Sequence, residues 1–293
     1  MDNDIFTPAL VSHSARSTDD TSFGRILLDM GKITPESIER VLRLQKDKGQ
    51  RFGEVAKQLG LISEADIRQV LSQQFDYPYL QAGQGNFDPL LVAAYQPFSK
   101  EVEALRALRS QLALRWFGEG HKALAIVSVN AGDGCSRTAA NLALVFSQLG
   151  ERTLLVDANL RAPFQHKIFN VKESRGLSDI LAGRAGMEVA ARVESFESLS
   201  VLGGGTVPPN PQELLGRSTF VDFMNTAMNQ YDIIIVDTPP ATESSDAQTV
   251  TARCRGGLLV SRLNHTRMAD LQNVKEQITV SGAHIVGAVI NDY

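Results

Sequence analysis

The stretch that decides the fold runs from Leu124 to Thr138 and reads Leu-Ala-Ile-Val-Ser-Val-Asn-Ala-Gly-Asp-Gly-Cys-Ser-Arg-Thr. An apolar run leads into a glycine-rich loop, a helical pattern follows to Leu149, and a second apolar run ends at Asp157. Strand, glycine loop, helix, strand and carboxylate in this order are typical of a phosphate-binding loop, or P-loop. The sequence therefore predicts a nucleotide site at this loop.

The loop departs from the generic G-x-x-x-x-G-K-[ST] pattern at two positions. Val129 stands where the first Gly belongs, and Cys135 replaces the Lys that grips the phosphates. The two remaining glycines still let backbone N–H groups approach anionic oxygens at a helix N-terminus, and Ser136 can offer its hydroxyl to Mg²⁺. The predicted nucleotide-binding residues are Ala131, Gly132, Asp133, Gly134, Cys135, Ser136, Arg137 and Thr138.

Two aspartates end apolar runs that read as central strands. Asp157 ends Leu154-Leu-Val-Asp, and Asp237 ends Ile233-Ile-Ile-Val-Asp. In open α/β sheets, ligands bind at the carboxyl ends of the strands. Either aspartate alone could be a turn residue, but both together with the loop indicate a site. We therefore predict that Asp157 and Asp237 lie at the nucleotide site, beside the loop.

The region after Lys122 alternates strand and helix patterns. Several strands are almost wholly apolar, which fits a parallel sheet covered on both faces. The predicted class is α/β: a P-loop parallel sheet with helices on both faces, preceded by a small mostly helical domain. The expected strands are 124–129, 153–157, 199–202, 232–237, 257–261 and 285–290, and the expected helices are 100–117, 138–149, 211–229 and 267–281.

The N-terminal part contains a tandem repeat. Phe23-Gly-Arg-Ile-Leu-Leu-Asp-Met-Gly-Lys-Ile33 recurs as Phe52-Gly-Glu-Val-Ala-Lys-Gln-Leu-Gly-Leu-Ile62, so equivalent residues are 29 positions apart. A fixed offset of this kind predicts two similar helical units. The predicted organisation is a disordered tail over 1–21, a helical domain over 22–80, a linker rich in Gly and Pro over 81–98, and the sheet domain over 99–293.

Composition narrows the class of protein. A net charge of −4 argues against a dedicated nucleic-acid binder. The apolar runs are all shorter than ten residues, and the start Met-Asp-Asn-Asp has no signal-peptide pattern. Two cysteines are too few for a disulfide framework. We expect a cytoplasmic protein.

With these motifs in place, region 99–293 resembles the bacterial tyrosine kinases of capsule and exopolysaccharide systems. Their loop, Ser-x-x-Pro-Gly-Glu-Gly-Lys-Ser-Thr, also lacks the first Gly. Glu103, Arg106 and Arg109 match the E-x-x-R-x-x-R helix through which those kinases form rings. The string Gly205-Thr-Val-Pro-Pro-Asn-Pro-Gln-Glu-Leu-Leu215 is close to a fixed family segment, and Asp246 also falls at a family position. The resemblance implies a homo-oligomer.

The N-terminal domain gives a closer resemblance, to EpsG-type kinases whose extension is similar to the N-terminal domain of MshE-type secretion ATPases. That domain binds cyclic di-GMP through two tandem motifs, each opening with Arg. Here the second copy begins at Arg51, but the first begins at Ser22. Cyclic di-GMP binding and a pure adaptor role both stay open. The matching positions are Phe23, Gly24, Gly31, Gln45, Arg51, Phe52, Gly53, Gly60 and Gln74.

The kinase signature is incomplete in this chain. The family's Asp-x-Asp-Leu-Arg-x-Pro reads Asp157-Ala-Asn-Leu-Arg-Ala-Pro163, so Asn159 cannot act as a base. The resemblance assigns catalytic roles to Asp157 and Arg161. It also implies Mg-ATP as the cofactor, with Ser136, Asp157 and Asp237 holding the Mg²⁺. The family's C-terminal tyrosine cluster is reduced to Tyr293, either the autophosphorylation site or an incidental terminal residue. Arg137 could reach back to replace the missing lysine.

Three functions remain open. The first is an ATP-dependent tyrosine autokinase with weakened catalysis, acting in exopolysaccharide chain-length control. The second is an inactive pseudokinase scaffold that couples nucleotide to a membrane polysaccharide co-polymerase, which would recruit it to the inner membrane. The third is a partitioning or cell-division-type ATPase on the same sheet. It ranks last because the 103–109 and 205–215 segments would have no role in it.

Overall fold

The computed structural model describes residues 16–74, 79–80, 84–172 and 174–292. The chain divides into two compact units, Met1–Pro78 and Tyr79–Tyr293. Among the described residues, every helix is too short or too polar to cross a lipid bilayer.

The first unit is helical. Its helices are α1 (Arg16–Asp29), α2 (Pro35–Lys48), α3 (Phe52–Gln58) and α4 (Glu64–Gln74). Helix α1 begins inside the stretch predicted to be a disordered tail, so that prediction needs correction over 16–21. Phe23 and Leu27, one helical turn apart, are buried in the core of this unit, and the helix that carries them extends back to Arg16. Residues 1–15 lie outside the described part of the chain.

The predicted repeat is visible in the hydrogen bonds of the two turns. After α1, the N–H of Met30, Gly31 and Lys32 donate to the carbonyls of 26, 28 and 27, and after α3 the N–H groups of 59, 60 and 61 donate to those of 55, 57 and 56. Each glycine has a positive φ, 67° at Gly31 and 68° at Gly60, which a residue without Cβ adopts readily. The two turns thus have the same backbone conformation at the offset of 29 residues.

The two copies also pack against each other as equivalents. A Cβ on Gly24 would lie 3.3 Å from the Phe52 ring, and a Cβ on Gly53 would lie 3.4 Å from the Phe23 ring. The two buried rings are 6.0 Å apart at their centroids. The Phe-Gly pair of each copy therefore builds the core of this unit, because glycine allows the opposite ring to approach.

The second unit is a seven-stranded sheet with helices on both faces. Its strands are β1 (Ala123–Ser128), β2 (Thr153–Asp157), β3 (Ala191–Arg192), β4 (Leu199–Leu202), β5 (Ile233–Asp237), β6 (Gly256–Arg262) and β7 (His284–Asn291). Its helices are α5 (Val92–Tyr95), α6 (Lys100–Arg115), α7 (Cys135–Ser147), α8 (Gln165–Ile168), α9 (Leu177–Leu181), α10 (Pro211–Gly216), α11 (Ser218–Gln230), α12 (Asp246–Cys254) and α13 (Met268–Val280).

The strand order is β3-β4-β2-β5-β1-β6-β7, and every neighbouring pair except β3–β4 is parallel. One buried cluster includes α6 and α7 residues on one face, and a second includes residues of α9 to α13 on the other. The central strands β1, β2 and β5 are buried along their whole length, as their apolar sequences require. The predicted fold class is confirmed.

Part of the predicted linker belongs to this second unit. Leu91, Ala93 and Ala94 are fully buried. Asn141 on α7 receives the Ala93 N–H at 2.9 Å and donates to the Leu90 carbonyl at 2.8 Å. The apolar run in 90–94 outweighs the nearby Gly and Pro residues, because burying it against α7 gains hydrophobic free energy.

One helix prediction also needs correction, and several short elements were not predicted. The helix expected over 211–229 is broken at Arg217, whose extended backbone (ψ 160°) separates α10 from α11. The short elements β3, α8, α9 and α12 have no counterpart in the prediction, because their patterns are too brief to show a period.

Candidate nucleotide site

The loop between β1 and α7 has the conformation that its glycines allow. Gly132 and Gly134 have φ values of 83° and 96°, a region that disfavours residues with a Cβ. Helix α7 begins directly after this turn, at the carboxyl edge of the sheet. Its N-terminal N–H groups and dipole favour anions there. Ala131 and Gly132 are exposed and Ser136 is half-buried, so this part of the loop is accessible to a phosphate.

Asp133 supports the loop from inside. It is fully buried, and its carboxylate accepts the Asn130 N–H at 2.8 Å and the Thr266 hydroxyl at 2.8 Å. Its Oδ1 also lies 2.9 Å from Nδ1 of His265. Asp133 therefore shapes the loop, whereas the sequence predicts direct nucleotide contact. Sequence reasoning missed His265 and Thr266, which follow β6, although β6 ends at the same edge of the sheet as the loop.

The Cys135 side chain is turned into the sheet. Its thiol donates to the Ile126 carbonyl at 3.1 Å and lies 3.5 Å from the Thr238 carbonyl. Burial, with the nearby Asp237 carboxyl, raises the pKa of the Cys135 thiol well above its ordinary value. The position that should carry the loop cation thus holds a buried neutral thiol.

Arg137 and Thr138 face away from the loop, towards α6 and β7. Arg137 forms an ion pair with Glu101 on α6 at 2.7 Å. The Thr138 hydroxyl accepts from the Asn291 amide at 3.4 Å. Arg137 therefore does not substitute for the missing lysine in this structure, because its guanidinium is committed to α6.

Asp157 and Asp237 are brought together as predicted. They are register partners on adjacent strands, and both are fully buried. Burial, and then repulsion from Asp237, raises the pKa of Asp157 to about 8. Burial also raises the pKa of Asp237. Desolvation and like charge disfavour ionisation, and a divalent cation would offset both effects.

The residues at this edge fit Mg²⁺. Magnesium takes oxygen ligands, usually one or two carboxylates with water and substrate phosphates. Asp157, Asp237 and the Ser136 hydroxyl are such donors. The Oδ1 atom of Asp237 is buried and accepts no hydrogen bond within the described part of the chain. An unsatisfied buried carboxylate oxygen is consistent with a cation site.

Gln165 is the main site residue that sequence reasoning missed. It is fully buried at the start of α8. Its side-chain amide donates to Oδ2 of Asp237 at 2.7 Å and to the Ser136 carbonyl at 3.0 Å, while its backbone N–H donates to Asp157 at 2.9 Å. No sequence pattern marks a single Gln in a short helix, so only the fold reveals it.

Asn159 and Arg161 have structural partners. The Asn159 side-chain oxygen accepts the Ala162 N–H at 3.2 Å, which caps the turn. Arg161 forms a forked ion pair with Asp246, with distances of 2.8 and 3.4 Å, and Asp246 is fully buried. The pair joins the loop after β2 to the start of α12. The catalytic role of Arg161 stays a prediction.

The family-like string in 205–215 is anchored at its first residues. Asp179 on α9 accepts the N–H groups of Gly176 and Thr206 at 3.1 and 3.2 Å. Gly176 packs so closely that a Cβ there would lie 2.1 Å from the Gly203 carbonyl oxygen. Farther along, Gln212 donates to the Ser245 hydroxyl at 2.8 Å. Gly205 itself has a φ of 75°, and a Cβ there would lie 2.5 Å from the Gly176 nitrogen, which explains the glycine that opens this segment.

The predicted oligomerisation residues lie on α6. Glu103 and Arg106 form an ion pair with each other, and Arg109 donates to the Val145 carbonyl on α7 at 2.8 Å. Glu103 is exposed and the two arginines are half-buried. Their role in assembly stays a prediction. Tyr293 lies outside the described residues.

The predicted cyclic di-GMP residues divide into three groups. Phe23, Gly24, Phe52 and Gly53 form the packed centre of the first unit. Arg51 is exposed immediately before α3. The remaining four residues are two turn glycines and two helical glutamines: Gly31, Gly60, Gln45 and Gln74. Packing alone therefore accounts for the first group.

The chain is similar to known bacterial tyrosine kinases in sequence and in fold. The Bacillus subtilis (strain 168) protein named tyrosine-protein kinase YwqD is 34% identical over 201 residues, which are 69% of this chain and 85% of that protein. The crystal structure of the chimerical protein CapA2B2 has a TM-score of 0.66 and 32% identity, and the match covers 76% of this chain and 97% of that chain.

The kinase domain of the Escherichia coli tyrosine kinase ETK has a TM-score of 0.68 and 31% identity, with 72% of this chain and 82% of that chain covered. No protein-family model matches the sequence. The sequence likeness covers most of the B. subtilis kinase, and the sheet and loop geometry agree with it. The chain therefore belongs to the bacterial tyrosine-protein kinase family.

Proposed function

We propose that this chain binds Mg-ATP at the β1–α7 loop and transfers the phosphoryl group weakly. The observation that carries the proposal is the Cys135 thiol, which is buried and donates a hydrogen bond to the Ile126 carbonyl of β1. A loop cation stabilises the charge that develops on a transferring phosphoryl group. A buried neutral thiol cannot supply that stabilisation.

Two neighbouring positions do not compensate. Arg137 is paired with Glu101. Asn159 uses its side-chain oxygen as a cap and carries no charge. A missing general base lowers a rate on the order of 10²- to 10⁴-fold. The chemistry that remains is binding, through backbone N–H groups, Ser136 and the acidic pair.

The acidic pair would hold Mg²⁺ together with Ser136, and bound Mg²⁺ neutralises charge on the nucleotide phosphates. Asp157 is kept in place by the N–H groups of Phe164 and Gln165 at 2.7 and 2.9 Å. Asp237 is held by Gln165. These contacts fix the two carboxylates before ligand arrives, so little reorganisation accompanies binding.

The biological role that we propose is regulation of exopolysaccharide chain length through a membrane polysaccharide co-polymerase, at the inner membrane. The support is the family membership and the 103–109 and 205–215 segments, which resemble the capsule and exopolysaccharide kinases. Nucleotide-dependent homo-oligomers would be the active form. If transfer is absent, the same site would serve a pseudokinase scaffold.

For the first unit we propose an adaptor role. The packing of the two Phe-Gly pairs supports it, because these residues pack against each other in the core of the unit. Binding of cyclic di-GMP would then depend on Arg51 and the residues around it. Titration of cyclic di-GMP into the full chain and into Arg51→Ala tests this. Binding that is lost in the variant would favour the ligand-sensing role.

Two experiments test the proposed function. Calorimetric titration of Mg-ATP into the full chain should show binding that Ser136→Ala weakens. Autophosphorylation should then rise at least about 10-fold in a Cys135→Lys, Asn159→Asp double variant, since it restores a cation and a base. Cys135→Met with Asn159→Asp is the matched control without the cation. No ATP binding by the unaltered chain would refute the proposal, and no gain in the double variant would refute the explanation for weak transfer.

A further inference from the structure

Gln165 contacts all three residues expected to hold Mg²⁺. Its backbone N–H donates to Asp157, and its side-chain Nε2 donates to Asp237 and to the Ser136 carbonyl. These residues come from β2, β5 and the first turn of α7. Gln165 is fully buried. A single neutral residue therefore links the acidic pair to the phosphate loop, through its backbone N–H and its side-chain amide.

The orientation of this amide follows from its neighbours. Oδ2 of Asp237 and the Ser136 carbonyl oxygen are both acceptors, so the nitrogen of the amide must face them. The carbonyl oxygen Oε1 then points elsewhere. Oε1 of Gln165 is buried and has no donor within the described part of the chain, and the same holds for Oδ1 of Asp237.

Two unsatisfied acceptors on side chains joined by a 2.7 Å hydrogen bond need donors. Leaving a buried acceptor without a donor destabilises a protein, whereas water bound to a cation is a strong donor. Mg²⁺ keeps several of its waters when it binds to proteins. The two free oxygens are therefore suited to the hydration shell of such an ion.

We propose that Gln165 is a positioning residue of the divalent-cation site, which fixes one oxygen of Asp237, leaves the other oxygen available to the ion or its waters, and keeps its own Oε1 as an acceptor for those waters. This inference rests on the proposed Mg-ATP site. The competing explanation is one trapped water that bridges the two oxygens and has no connection with cation binding.

The test measures binding of Mn²⁺, in place of Mg²⁺, to the full chain with ADP, by electron paramagnetic resonance. Gln165→Met keeps the volume and the backbone N–H but removes both amide groups. We expect it to weaken Mn²⁺ binding about 10- to 100-fold, as loss of an outer-shell partner does. ADP affinity measured in EDTA should change less than about 2-fold. Gln148→Met is the matched control, since Gln148 is a buried Gln whose amide donates to the Ala93 carbonyl.

A second variant separates cation positioning from folding. Gln165→Glu keeps an oxygen acceptor and should bind Mn²⁺ at least about 5-fold tighter than Gln165→Met, although it loses the donor to Asp237. A purely structural glutamine would give the opposite order or no difference. Unchanged Mn²⁺ affinity in Gln165→Met, or in both variants, would overturn the inference alone. Failure of the unaltered chain to bind Mn²⁺ with ADP would overturn the proposed function as well.

Discussion

The buried acidic pair should make the metal-free protein less stable as the pH rises, and Asp157→Asn should remove this penalty. The pKa of Asp157 in the folded chain is raised to about 8, and an unfolded carboxyl titrates near 3.9. Because the folded state binds the extra proton, stability is fully present below pH 4 and is lost progressively up to pH 8. Asparagine carries no charge in either state.

The size of the effect follows from this interval. A displacement of about 4 pH units corresponds to about 5 kcal/mol at 1.36 kcal/mol per unit, as an upper bound. The Asn159 N–H donates to Asp157 Oδ1 at 3.2 Å, and losing that bond costs about 1 kcal/mol. Relaxation of the protein around the buried pair reduces the remaining gain in stability. We therefore expect Asp157→Asn to gain about 2–4 kcal/mol at pH 8, or roughly 5–10 °C in Tm.

The assay is thermal unfolding of the full chain in EDTA at pH 5, 6, 7 and 8. The gain should grow with pH, and it should reverse in Mg-ADP, which stabilises the unaltered chain through the carboxylate. Asp232→Asn is the control, because the Arg152 hydrogen bonds lower the pKa of Asp232 and predict no gain. Equal or lower Tm of Asp157→Asn at pH 8 in EDTA would refute the reasoning.

Three further predictions concern stability. The pKa of Asp66 is lowered to about 2, first by the hydroxyl of Ser63. Acid should therefore remove its contribution between pH 4 and 2, and Asp66→Asn should flatten this part of the pH–stability curve measured by circular dichroism. Gly176→Ala should cost about 1–3 kcal/mol in urea unfolding, because its Cβ would meet a backbone oxygen at 2.1 Å, whereas Gly216→Ala meets nothing within 4 Å and should be near neutral. Asn141→Ala strips partners from a buried N–H and a carbonyl oxygen and should cost about 2–4 kcal/mol; a loss below 1 kcal/mol would show that residues 90–93 are held by other contacts.

The acidic pair and the loop could be predicted because strand periodicity and strand ends are local patterns. Asp157 and Asp237 each end an apolar run, and a parallel sheet brings such ends to one edge. The helical repeat could also be predicted, since its glycines recur at a fixed offset. The sequence therefore indicates where the ligand binds and which backbone groups surround it.

The direction of individual side chains could not be predicted. Arg137 lies two positions after Cys135, and only the packing of α6 beside α7 determines that it pairs with Glu101. Asp133 lies in the loop, but its carboxylate is held by His265 and Thr266, which are 132 and 133 positions away. The position of the Gln165 side chain depends on contacts with Ser136 on α7 and Asp237 on β5. Such contacts are long-range, so no short window of sequence contains them.

The burial of both thiols has a practical consequence for kinetics. Cys135 and Cys254 are the two cysteines of the chain, and each lies in a different buried layer of the sheet unit. A thiol reagent reacts with the thiolate of an exposed cysteine, so each site is labelled only after its own layer opens. Labelling of Cys135 would report opening of the nucleotide loop, and labelling of Cys254 would report opening of the opposite layer. The labelling rates of the two cysteines thus report two separate local unfolding events. Bound nucleotide should slow the labelling of Cys135 more than that of Cys254.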